Sequence, residues 1–165
     1  MAIQLFDEND IRKLSDEERF NYCEEVLKNN DDESRRWDAV WLAGELAENM
    51  NQNDKMRQKV ADLMEWVLKN DSNGVVKHEA SFQIAARNFR EKIPILMEIS
   101  LNDDSILSKH EAIEALGLMR AFEVEDQIRT LEKDQSRDVR ETAGFVLKRF
   151  QRLKDCGEYT PSNIL

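Results

Sequence analysis

The chain is poor in the residues that punctuate β structure. Five glycines and two prolines among 165 residues amount to about 4%, against roughly 12% in average usage. A sandwich or barrel needs a turn about every 8–12 residues, so this supply argues against one. The two cysteines, Cys23 and Cys156, stand far apart with no Cys-x-x-Cys, so neither a disulfide framework nor a zinc knuckle is readable. No apolar run approaches the ~18 residues of a membrane span. Met1–Phe6 is followed at once by Asp7, Glu8 and Asp10, which is unlike a signal peptide. The expectation is a reducing, cytoplasmic compartment. Basic charge is short as well: 24 Lys and Arg face 34 Asp and Glu, a net charge of −10 with a pI near 4.8. A phosphate backbone repels such a surface, so nucleic acid is disfavoured, and a protein substrate or partner with a basic surface is expected. P-loop, Rossmann and HExxH patterns are all missing.

What remains is a soluble, charge-rich chain, 41% hydrophobic and 35% charged, whose apolar residues recur at helical spacing. Ser15-Asp16-Glu17-Glu18 is a capping box, in which side chains satisfy the orphan amides of a helix start. Phe20, Cys23, Val26 and Leu27 follow as one stripe. Further helices are predicted over about 33–50 and 54–69, each bounded by polar clusters such as Asn29-Asn30-Asp31-Asp32 and Asn70-Asp71-Ser72-Asn73-Gly74. Trp37, Trp41 and Trp66 fall among apolar residues as core or interface anchors, and Cys23 is a packing residue.

The chain also repeats itself. Lys-His-Glu-Ala occurs at 77–80 and again 32 residues later at 109–112. Arg140-Glu141-Thr142 and Trp37-Asp38-Ala39 hold the equivalent place downstream and upstream. Between them lie second helices such as Ile93–Ile99, with Pro94 in a first turn where its missing amide hydrogen is not needed. The prediction is an all-α fold: a short α-solenoid of about four HEAT-like helical hairpins with an extra N-terminal helix. It forms a single domain over 1–154, with repeats at about 31–70, 71–102, 103–134 and a partial one at 135–154. Stacking, not any single hairpin, buries the core. The remaining segment, 155–165, carries Gly157 and Pro161 and forms a helix-breaking tail.

Only two histidines exist, and both fill the same repeat position. His78 shares a helical face with Val75 and Phe82, and His110 with Ile106 and Ile113; Glu79 and Glu111 follow by about 100° of rotation. Stacked helices lie about 8–10 Å apart, so the two imidazoles can meet on one ion with a carboxylate beside them. Two His and one carboxylate is the ligand set of non-haem iron oxygenases. Duplication copies a structural His as readily as a ligand, so the same pairs also suit a purely structural role.

The stretch from Ser72 to Asp155 resembles one half of deoxyhypusine hydroxylase, a HEAT-repeat di-iron monooxygenase family. The resemblance rests on KHEASFQIA (77–85), SKHEAIEALG (108–117), VRETAGFVLKRFQRL (139–153) and the intervening Ile93-Pro94-Ile95-Leu96. In that family four His-Glu pairs from two symmetric halves hold two irons that hydroxylate a modified lysine side chain. The resemblance implies that His78, Glu79, His110 and Glu111 are metal ligands for non-haem Fe, and that Glu111 completes a facial set. It further implies that Glu79 takes a catalytic part, bridging metal or holding a cationic substrate. Only two pairs occur here, and Ala85 stands where the family often has the glycine kept at Gly117. A homodimer would restore four pairs and a di-iron site. The alternative is a non-catalytic HEAT-repeat interaction module that binds protein along its concave face and needs no metal. A chaperone or lyase subunit for a pigment protein is a third member of that class, with no cofactor pocket readable for it.

Overall fold

A computed structural model describes residues 7–48, 50–51 and 53–157. The predicted tail lies outside them from residue 158 onward, as does Met1–Phe6. Nine α-helices and no strand are found among the described residues. They are α1 (Glu8–Arg12), α2 (Asp16–Asn29), α3 (Glu33–Leu46), α4 (Lys55–Asn70), α5 (Gly74–Ala86), α6 (Ile93–Asn102), α7 (Ile106–Leu118), α8 (Glu125–Thr130) and α9 (Arg137–Leu153). The helix starts carry their expected chemistry. Ser15 and Glu18 form the reciprocal capping box, and Asp32, Asp54, Asn73, Ser105 and Ser136 cap α3, α4, α5, α7 and α9 with side-chain oxygens. The sequence did not announce α1, a single turn capped by Asp7.

The helices form two layers of a solenoid. In one row α3, α5, α7 and α9 pack side by side; α2, α4, α6 and α8 lie behind, each against the front helix that follows it. The rows touch through alanine and larger aliphatics, including Ala39, Val40, Ala80, Ile84, Ala112, Ile113, Leu116 and Ala143, all essentially inaccessible. Cys23 is fully buried, as its stripe requires, whereas Trp37 is exposed and Trp41 and Trp66 are half-buried.

Two recurring devices fix the spacing of the front row. The first is a glycine slot. A Cβ on Gly117 of α7 would come within 2.8 Å of Val146 Cγ2 on α9, and one on Gly44 of α3 would overlap the amide of Gln83 on α5. Ala85 holds the equivalent position in α5 and is fully buried. The second is an ionic ladder. Arg36 donates to Asp71 (2.8 Å), Lys77 to Asp103 (2.6 Å) and Lys109 to Asp134 (2.9 Å). Each aspartate also accepts a backbone N–H at the start of the next repeat, from Asn73, Ser105 and Ser136. The basic residue ahead of each His position therefore ties its helix to the following one.

The turns behind the row repeat too. Asn88 and Arg120 adopt left-handed backbone (φ 51° and 52°) after α5 and α7. The next amides, of Phe89 and Ala121, donate back to Ile84 and Leu116, which closes the orphan helix-end carbonyls. Arg57 from α4 donates to the carbonyls of Arg87 and Asn88, and Arg90 to that of Met119. No described helix is long and apolar enough to cross a membrane.

Candidate metal centre

Packing on both flanks of the front row decides which residues turn inward. The buried stripe of α5 is Val76, Glu79, Ala80, Gln83 and Ile84, and that of α7 includes Ser108, Glu111, Ala112 and Ala115. Glu79 and Glu111 are only 6% and 5% accessible, whereas His78 and His110 are half-buried and share the open face with exposed Val75 and Leu107. The sequence reading placed the imidazoles on the apolar stripe and the carboxylates at its border. The structure reverses that order because the carboxylates point along the seam between neighbouring helices.

The His slot of each helix meets the Glu slot of the next. His78 Nε2 lies 2.9 Å from Glu111 Oε2, so one proton sits between α5 and α7 at this point. Across the next seam the Glu slot holds Thr142, and His110 Nδ1 lies 2.8 Å from its Oγ1. On the other side of the ring, His110 Nε2 lies 3.5 Å from Glu114 Oε1, one turn along α7. His110, Glu111 and Glu114 each bring a ligand atom within 4.8 Å of the others. Glu79 is placed otherwise: it accepts a 2.9 Å hydrogen bond from Gln83 Nε2, whose Oε1 is buried without a partner. Of the four residues singled out from sequence, His110 and Glu111 thus share one cluster, His78 touches it through Glu111, and Glu79 lies alongside. Glu114 and Thr142 were missed. Glu114 was legible as His-x-x-x-Glu spacing on one helix face, and Thr142 as the residue in the Glu slot of the last repeat.

The electrostatics follow from this crowding. Burial, reinforced by the Glu114 and Glu79 carboxylates, pushes the Glu111 carboxyl up to about 8. Near neutral pH this favours the protonated carboxyl. Burial also lowers His78; the nearby Glu79 and Glu114 charges oppose this and His110 adds to it. Two imidazoles and two carboxyl groups with surplus negative charge are a donor set suited to a divalent cation, which would take the place of the Glu111 proton. Nitrogen and oxygen donors of this kind suit iron as well as other first-row metals.

No protein-family model matches the chain. Deoxyhypusine hydroxylase of Arabidopsis thaliana is 36% identical over 88 residues, 52% of this chain and 28% of that protein. The enzyme of the same name from Gallus gallus is 33% identical over 89 residues, 53% of this chain and 30% of that protein. The structure of human deoxyhypusine hydroxylase in complex with glycerol matches with a TM-score of 0.72 at 18% identity, covering 92% of this chain and 50% of that one. The chain therefore spans less than a third of the curated relatives it matches and half of the solved chain. The chain is an all-α solenoid whose fold is similar to one half of deoxyhypusine hydroxylase.

Proposed function

We propose that the chain is a metal-dependent hydroxylase half-unit, binding non-haem iron at its His-Glu cluster and acting on a lysine-derived side chain of a protein. The observation that carries this reading is the convergence of His110, Glu111 and Glu114 within 4.8 Å, with His78 joined to Glu111 at 2.9 Å. His110 and His78 would ligate iron through imidazole nitrogen, and Glu111 and Glu114 through carboxylate oxygen. Bound iron would supply dioxygen activation, which no side chain can perform. Glu79, held by Gln83, is the carboxylate set beside the cluster to bridge a second metal or steady a cationic substrate. The net charge of −10 favours approach of a basic protein. A symmetric homodimer would bring two such clusters together as a di-iron site, and the match to half of a solved chain supports that stoichiometry.

Metal analysis tests the reading directly. Protein purified under reducing conditions and loaded anaerobically with Fe(II) should hold up to about one iron per chain, and His78→Ala and His110→Ala should each lose most of it, since the set is then incomplete. Light scattering should give a particle of about twice the 19.3 kDa chain mass, shifting toward monomer with chelator because the metal binds the assembled site best. Folded wild type that stays metal-free after loading would refute the hydroxylase reading and leave the interaction module.

A further inference from the structure

We infer that Thr142 is a positioning residue that locks His110 in a single tautomer, with the proton on Nδ1 and the lone pair of Nε2 left on the side of Glu114. The tautomer follows from a count of protons. A threonine hydroxyl has one hydrogen to donate and lone pairs to accept. Thr142 Oγ1 donates that hydrogen to the carbonyl oxygen of Asp138, one turn back in α9, at 2.7 Å. Toward His110 Nδ1, 2.8 Å away, it can therefore only accept. The hydrogen of the neutral ring must then sit on Nδ1. This leaves Nε2 electron-rich, 3.5 Å from Glu114 Oε1.

The surroundings keep this arrangement rigid. Thr142 is 6% accessible, so water does not compete freely for its hydroxyl. Its helix is held against α7 by the close approach of Val146 to Gly117 and by the Lys109–Asp134 rung. The residue type is also specific to its place. Thr142 occupies the slot filled by Glu79 and Glu111 in the two preceding repeats, and at the Glu111 position the carboxylate contacts the preceding His through Nε2. A third glutamate would add another carboxylate beside a cluster that already holds Glu111 and Glu114. A hydroxyl that has spent its proton on its own backbone engages only Nδ1, and leaves the other nitrogen to the cluster. A hydrogen bond behind a metal-binding imidazole fixes the tautomer and the ring plane, and losing it typically weakens metal binding about 10–100-fold.

The tautomer holds whether or not a metal binds; its purpose as ligand preparation rests on the function proposed above. The test uses full-length wild type, Thr142→Val, which keeps the shape and removes the acceptor, and Thr142→Ser, which keeps the hydroxyl. Nitrogen-15 NMR of the imidazoles in metal-free protein, at about pH 8.5 where a histidine is ordinarily neutral, reads the tautomer of His110. Co(II) and Fe(II) titrations read the affinity, and circular dichroism confirms that each variant is folded. We expect Nδ1–H in wild type and in Thr142→Ser. Thr142→Val should move to the Nε2–H form or a mixture, with metal affinity about 10–100-fold lower. An Nε2–H ring in wild type, or a Thr142→Val ring unchanged, overturns the inference. An altered tautomer with metal affinity equal to wild type overturns the positioning role. If wild type shows Nδ1–H but takes up neither metal, the tautomer lock is upheld and it is the hydroxylase reading that falls.

Discussion

Replacing Glu45 should cost the fold about 2–3 kcal/mol at neutral pH, most of it electrostatic. This carboxylate near the end of α3 gathers four donors from three helices. Arg12 of α1 reaches both oxygens at 2.8 and 3.0 Å, Arg19 of α2 donates at 2.5 Å, and the Trp41 indole donates at 2.8 Å. The guanidinium of Arg12, then that of Arg19, holds the Glu45 carboxyl well below its ordinary 4.5, at about 2. That displacement corresponds to at most about 3 kcal/mol of linkage. The Glu45 side chain is 21% accessible and Arg12 34%, so solvent screening reduces the term to about 2 kcal/mol. Loss of the Trp41 acceptor adds up to about 1 kcal/mol. The sign with pH is fixed. A carboxyl depressed in the folded state contributes fully above its unfolded value of 4.5 and loses that contribution as pH falls toward 2. Urea unfolding of wild type and Glu45→Ala across this range should therefore show the electrostatic part of the gap shrinking to less than half by about pH 3. A gap below about 0.5 kcal/mol at pH 7, or one that does not narrow in acid, would refute the assignment.

Gly44→Ala should destabilise despite its better helix propensity. The new Cβ would lie 2.6 Å from Gln83 Cδ and overlap Oε1, and Gln83 is fully buried. We expect an overpacking cost of about 1–3 kcal/mol, offset by about 1 kcal/mol of propensity. Adding Gln83→Ala should recover most of the net loss in a double-mutant cycle, and a Gly44→Ala protein more stable than wild type would contradict the close approach. For the thiols, burial pushes Cys23 up to about 12, whereas Cys156 is exposed. A maleimide at near-neutral pH should add once to the native protein and twice in urea by mass spectrometry; two native adducts on the same timescale would show that α2 opens readily.

Much of the fold was legible because the repeat writes each local signal several times over. The caps at Ser15, Asp32 and Asn73 lie in the polar clusters or capping pattern that bounded the predicted helices. The seams were harder to read. Helix α5 has apolar residues on two faces, Val75 and Phe82 on one and Val76, Ala80 and Ile84 on the other, so periodicity alone does not say which is covered. Only stacking on both flanks chooses the second, and that choice turns Glu79 and Glu111 inward in place of the histidines. Glu114 and Thr142 escaped notice for a related reason. Glu114 stands outside the repeated Lys-His-Glu-Ala phrase, and Thr142 departs from it and acquires its role only when the third and fourth repeats are brought face to face. Helix α1 is one turn long, too short for any period to show.

The candidate site is a product of inter-repeat register more than of any one helix. Each ladder aspartate accepts from a basic side chain of one repeat and from the backbone at the start of the next. This fixes how far along its axis the next front helix begins. The glycine slot then sets how closely that helix lies, at Gly44 against Gln83 and at Gly117 against Val146. Given both constraints, the His slot of one repeat must fall opposite the Glu slot of the following one, as His78–Glu111 and His110–Thr142 do. A lone Lys-His-Glu-Ala helix would therefore carry the His110–Glu111–Glu114 group without the contacts that join it to His78 and Thr142. The outermost slots confirm the economy of the scheme: Trp37 opens the row and Thr142 closes it, so the paired His-Glu chemistry is confined to the central seam, where a helix stands on either side to hold it.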